Sequence, residues 1–147
     1  DLRTRRMAHR ILCDAHVLVD PRISVSEGHA IAEAVRLRVC RQHANVQDVL
    51  VHIDAEDDLD VPVIPAGPIP DRQTLADWLP GLLGDEVPAP KRMLIHHLGG
   101  RVELELFFPL PWLSVDGRVE QLAARLNERL PEHPEIRAVR LHGLVAP

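Results

Sequence analysis

The sequence has no tyrosine, only two phenylalanines and only two tryptophans. That scarcity argues against the aromatic platforms on which bases or sugars stack. There are two cysteines, Cys13 and Cys40, and no CxxC pair. This excludes a disulfide framework and fits a reduced, intracellular setting, with both thiols read as small buried hydrophobes. No apolar run approaches the roughly 20 residues of a membrane span, and no signal peptide is present. The net charge of −5 gives no electrostatic footprint for nucleic acid. The cations of "DLRTRR" are too few and too local to alter that. There is no HExxH helix, no nucleophile elbow and no phosphate-binding loop.

What is present is a globular composition, 46% hydrophobic and 27% charged over 147 residues. That is enough for one ordinary domain or two small ones. Nine histidines are the unusual feature. The chain begins at Asp1 rather than at a methionine, as expected of a fragment or a processed product.

Hydrophobic periodicity predicts two α+β units. Residues 1–8 read as a short extended segment. "RILCDAHVLVD" (10–20) alternates as a strand, with Leu12, Asp14, His16 and Leu18 on one face. Residues 24–43 read as a helix. Ser24 or Ser26 reads as the N-cap, Ser24 with Glu27 matches a capping box, and Ile31, Val35 and Val39 form the buried stripe. A strand follows at 46–54. Prolines 62, 65, 68 and 70 then mark residues 59–70 as an extended, semi-rigid linker. The second unit (71–147) starts with a helix at about 71–79, capped by Asp71 and interrupted at Pro80-Gly81. A strand (92–98), a Gly99-Gly100 hairpin turn and a strand (101–108) follow, the latter with Val102, Leu104, Leu106 and Phe108 inward and Glu103 and Glu105 outward. A helix (116–130) and a strand (136–143) complete the unit.

The two units repeat each other. A shift of 90 places Leu12 on Val102, Leu18 on Phe108 and His52 on His142. Within the helix a shift of 91 fits better. Each unit is then β-β-α-β, a ferredoxin-like layer with helices on one face of an antiparallel sheet. The copies differ in polar content. Unit one has His16, His29, His52 and Asp54. Under the repeat, His16 becomes Leu106, Asp54 becomes Leu144, His29 becomes Val119 or Glu120, and only His52 keeps its ring. The second copy is therefore expected to be degenerate, without the site.

Three imidazoles and a carboxylate suit a borderline divalent cation, Zn²⁺ above all, with Co²⁺, Ni²⁺ and Cu²⁺ in competition and Fe²⁺ or Mn²⁺ held more weakly. Binding requires neutral imidazole, so it weakens below about pH 6.5. Glu27 and Glu56 have the chemistry of a hydrolytic base, but nothing in the pattern singles them out. Glu56, Asp57 and Asp58 read as a solvated exit from the strand.

Residues 1–58 resemble the cytoplasmic C-terminal domain of cation diffusion facilitator (cation efflux) transporters. The resemblance is carried by the opening "DLRTR", the "AHVLVD" strand, "S-x-x-E-x-H-x-I" at the helix start and the closing "VLVHID". It implies a metallochaperone-like fold and a V-shaped homodimer at the cytoplasmic face of the membrane, below a transport domain upstream of Asp1. It implies no enzymatic activity. Metal bound at the dimer interface would draw the arms together and bias transport. The positions that match the family's ligands are His16, His29, His52 and Asp54, with Asp54 bridging where two ions bind. Some members add a histidine just before "DLRTR". Zn²⁺ is the expected metal, other divalent transition metals are possible, and no nucleic-acid partner is implied. The alternative reading is a soluble metal carrier or small-molecule-binding module without a membrane partner. A metal-dependent hydrolase is a third.

Overall fold

The computed structural model describes residues 1–57 and 68–145. Most of the expected linker, residues 59–67, lies outside the described residues, as does Asp58. The chain divides into two compact units, Asp1–Val61 and Pro62–Pro147.

In the first unit, β1 (Leu2–Met7) and β2 (Arg10–Leu18) form a hairpin, α1 (Val25–Gln42) crosses over, and β3 (Val46–Asp54) returns beside β2. The Ser24 side chain caps α1 by accepting from the Glu27 amide at 3.1 Å. The crossover makes β3 parallel to β2, whereas β1 is antiparallel to it. The sheet is therefore mixed rather than wholly antiparallel, because a helix between two strands brings the chain back in the same direction. Cys13 and Val49 are adjacent across β2 and β3 and are buried. A Cβ on Gly28 would stand 3.4 Å from Ile53 Cγ2, so α1 lies close on the face that carries Val51 and Ile53. Arg36 on α1 donates to Asp48 at the start of β3 at 2.7 Å, and this bond holds the Asp48 carboxyl below the usual carboxylate range.

The second unit contains α2 (Arg72–Leu83), β4 (Arg92–Leu98), β5 (Arg101–Pro109), α3 (Leu110–Leu113), α4 (Arg118–Arg129), a single 3₁₀ turn and β6 (Ile136–Leu144). Its sheet repeats the pattern, with β4/β5 antiparallel and β5/β6 parallel. The turn is built by Gly99 and Gly100, both at positive φ. Two helices, α2 and α4, cover this sheet. Their leucines (Leu75, Leu79, Leu82, Leu83, Leu122, Leu126) pack with Val102, Leu104, Leu106 and Phe108 in one buried cluster.

Two expectations are corrected here. Pro80 does not end α2, which continues to Leu83. An internal proline costs about 3 kcal/mol, but the extra turn buries Leu82 and Leu83, each worth about 1.5–3 kcal/mol. Gly84, at φ 107, is the true stop, and a Cβ there would collide with the Arg125 side chain. The phase of the repeat also changes. Ile11 pairs with Val46 and Val102 pairs with Ile136, and in both sheets a one-residue bulge follows at once. Ile11 therefore corresponds to Val102, 91 positions on, while Val46 corresponds to Ile136, 90 positions on. The chain loses one residue once, between helix and last strand. His16 consequently corresponds to Phe107, not Leu106, and Ile11 and Val17, not Leu12 and Leu18, take the places of Val102 and Phe108. A one-residue slip moves every side chain to the other face. The corrected phase puts like with like, apolar side chains under the helices in both units.

Candidate metal centre

Strand alternation leaves one face of the first sheet away from α1. The parallel register sets His16 beside His52 and Leu18 beside Asp54 on that face. The His16 and His52 rings stack, with centroids 4.7 Å apart and planes 16° apart. Asp54 Oδ2 lies 2.8 Å from His16 Nδ1, with the two side chains 24% and 34% exposed. A carboxylate on one ring nitrogen fixes the orientation of the imidazole and raises the basicity of the other nitrogen, the arrangement that supports a metal-ligating histidine. His16 thus offers Nε2, Asp54 offers Oδ1, and the exposed His52 is able to turn.

His16 and Asp54 border a cavity of about 260 Å³, together with Leu18, Glu56 and Asp57. Period-two alternation from Asp54 was the signal that could have placed Glu56 here. Sequence reasoning treated it as a solvated exit, but it shares the wall with the candidate ligands.

His29 is not with them. It sits at the start of the second turn of α1, exposed, beside a separate cleft of about 390 Å³ that is also lined by Val51 and Ile53, on the helix side of the sheet. The sequence groups four ligands; one chain brings three of them to a common face. Among the described residues, no group of three or more histidine, cysteine, aspartate or glutamate side chains is arranged to enclose a metal ion within one chain. The stack explains this for His16 and His52, because in-plane lone pairs of nearly parallel rings do not converge on one point.

Residues 1–56 match the family model for the cytoplasmic domain of cation efflux proteins. The matched stretch lies within the first unit. It is 42% identical over 53 residues to metal tolerance protein C1 of Arabidopsis thaliana, a match that covers 36% of this chain and 11% of that protein. It is 32% identical over 53 residues to the manganese efflux system protein MneP of Bacillus subtilis strain 168, covering 36% of this chain and 18% of that protein. The chain thus spans under a fifth of either relative. A solved MamM CTD variant in its cadmium form is 32% identical, covers 39% of this chain and 70% of that one, and superposes with a TM-score of 0.37. Among the described residues, no helix is long and apolar enough to cross a membrane.

Proposed function

We propose that this chain is the regulatory, metal-sensing part of a divalent-cation efflux transporter, with its transport domain upstream of Asp1. The observation that carries the reading is the hydrogen-bonded, stacked set His16–Asp54–His52 on one face of the unit that matches the cation efflux model. The domain works as a homodimer that samples open and closed arrangements. An ion that prefers the closed interface shifts the population toward closure and so biases transport. His29 lies across the sheet from the other three ligands, so it joins them only by entering from a second copy. That requirement couples metal binding to dimer geometry. Asp54, with one oxygen on His16, has its second oxygen for a bridging role.

The imidazole and carboxylate donors favour Zn²⁺ on softness. Mn²⁺ is the competitor, because the Bacillus relative is a manganese efflux protein. Two proline-separated units are retained in this reading, with residues 59–70 as the spacer.

Zinc titration by calorimetry, with solution scattering on the same samples, tests the proposal. Wild type should bind and contract, and in a Glu105→Gln background, which confines the measurement to the first unit, adding His52→Ala should weaken binding at least ten-fold. Binding should weaken in acid, because a protonated imidazole has no lone pair for the metal. Equal binding with and without His52→Ala in that background removes the sensor. Binding without any change in dimensions removes the switch. Competition with Mn²⁺ decides the preferred ion.

A further inference from the structure

The second unit is not emptied of polar chemistry. On the face of its sheet away from the helices, three neighbouring strands contribute His96 (β4), Glu105 (β5) and His142 (β6). His96 Nε2 stands 3.2 Å from Glu105 Oε1, and His142 Nε2 stands 3.3 Å from Glu105 Oε2. Both Nε2 atoms are buried, and neither makes a hydrogen bond. The contacts are close but misaligned. A buried polar atom left in that state is destabilising, and here two of them flank one carboxylate.

We propose that His96, Glu105 and His142 form a second divalent-metal site, independent of the first unit. Two imidazole nitrogens and a carboxylate are a borderline-metal donor set. With metal–ligand bonds of about 2.0–2.1 Å, neighbouring ligand atoms of a tetrahedral site stand about 3.4 Å apart. The two separations here are close to that edge length and lie beyond a normal charge-assisted hydrogen bond. The three donors do not yet close round a common point. His96 and Glu105 are the fixed half, 11% and 14% exposed, while His142 is 39% exposed and is the ligand that turns. Phe107 stacks on the His142 ring at 4.6 Å. The nearby cations Arg140 and Arg137 pair with Glu103, at 2.7 and 3.7 Å.

This site is not the faded image of the first. His142 corresponds to His52, but Glu105 and His96 correspond to Asp14 and Arg5, so the donors have moved along the strands.

The test uses the full chain with the first site silenced by His16→Ala, His52→Ala and Asp54→Ala. It is titrated with Zn²⁺ by calorimetry and with Co²⁺ by visible absorption. One equivalent should still bind, with the absorption bands of a low-coordinate cobalt site. Adding Glu105→Gln or, separately, His142→Phe should weaken binding at least ten-fold, with folding checked by circular dichroism. His97→Ala, on the opposite face by alternation, should leave binding unchanged. If the silenced chain binds no metal, or if both the Glu105→Gln and His142→Phe chains bind as it does, the site does not exist. The cation-sensor reading of the first unit is untouched by either result.

Discussion

At the same register position, each sheet stacks two rings. In the first unit His16 lies on His52, and in the second Phe107 lies on His142. Centroids are 4.7 and 4.6 Å apart, and both pairs of planes meet at 16°. The stack is therefore a property of the parallel β2/β3 and β5/β6 pairing, not of metal chemistry. What makes the first pair a candidate centre is its neighbour. Asp54 grips His16, while its counterpart Leu144 grips nothing polar. The second unit instead gathers its acid and its second imidazole further along the strands.

The units also differ in how they hold together. Among the described residues, thirteen of the buried apolar side chains lie in the second unit, whereas the first has Cys13 and Val49. Two helices cover the second sheet and one covers the first, so the stripe of Ile31, Val35 and Val39 is only half-buried. The largest effect should follow from this asymmetry. Phe108→Ala, at a fully buried position, should cost about 3–5 kcal/mol. Val17→Ala, the matching half-buried position, should cost about 1 kcal/mol. Both tryptophans, Trp78 and Trp112, are in the second unit, so their emission follows its unfolding alone. Urea titrations read by tryptophan emission and by circular dichroism separate the two. If Val17→Ala moves the tryptophan transition as far as Phe108→Ala does, the units do not unfold as described.

The next effect concerns the stacks themselves. His16→Phe installs the second unit's pair in the first. It keeps a ring on His52 but removes the nitrogen that meets Asp54 and the one proposed to hold the ion. Zinc affinity at the first site should fall at least ten-fold, about 1.4 kcal/mol or more, with little change in thermal stability. Calorimetry in a Glu105→Gln background, which isolates the first site, is the measurement. Unchanged affinity would mean that His16 is a packing residue, like Phe107.

Much of this was legible beforehand. The alternation in residues 101–108, the Gly99-Gly100 turn and the caps at Ser24 and Asp71 all fall where local chemistry places them. So does the shared face of His52 and Asp54, two residues apart on one strand, because alternation needs no distant information. Three features were not legible, each for a physical reason. The phase of the repeat depended on a single residue lost between helix and strand, and apolar residues on both faces of residues 11–19 fitted either phase. The side of the sheet taken by His29 is set by the handedness of the crossover, not by the helix pattern. Glu105 was expected outward, and it is on the outward face, but His96 and His142 from adjacent strands cover it. Cross-strand pairing decided that burial, and no single strand shows it.

The smallest effect tests the hairpins that open the two sheets. Met7 pairs with Arg10, and Leu98 pairs with Arg101, so each turn has two central residues. The second unit uses Gly99-Gly100, whereas the first uses Ala8-His9, with Ala8 at φ 55. A left-handed backbone costs an ordinary residue roughly 1–2 kcal/mol. Glycine removes that strain but gives up about 0.5–1 kcal/mol of unfolded-chain entropy. The two terms oppose, and the strain is the larger, so Ala8→Gly should stabilise the first unit by about 0.5–1 kcal/mol. Gly99→Ala, at φ 58, should destabilise the second unit by a similar amount. Hydrogen exchange along β1 and β2 reads the first change, and tryptophan-detected melting reads the second. If Ala8→Gly speeds exchange in the hairpin, the turn gains more from alanine's restricted unfolded chain than it loses to strain, and the two hairpins obey different rules.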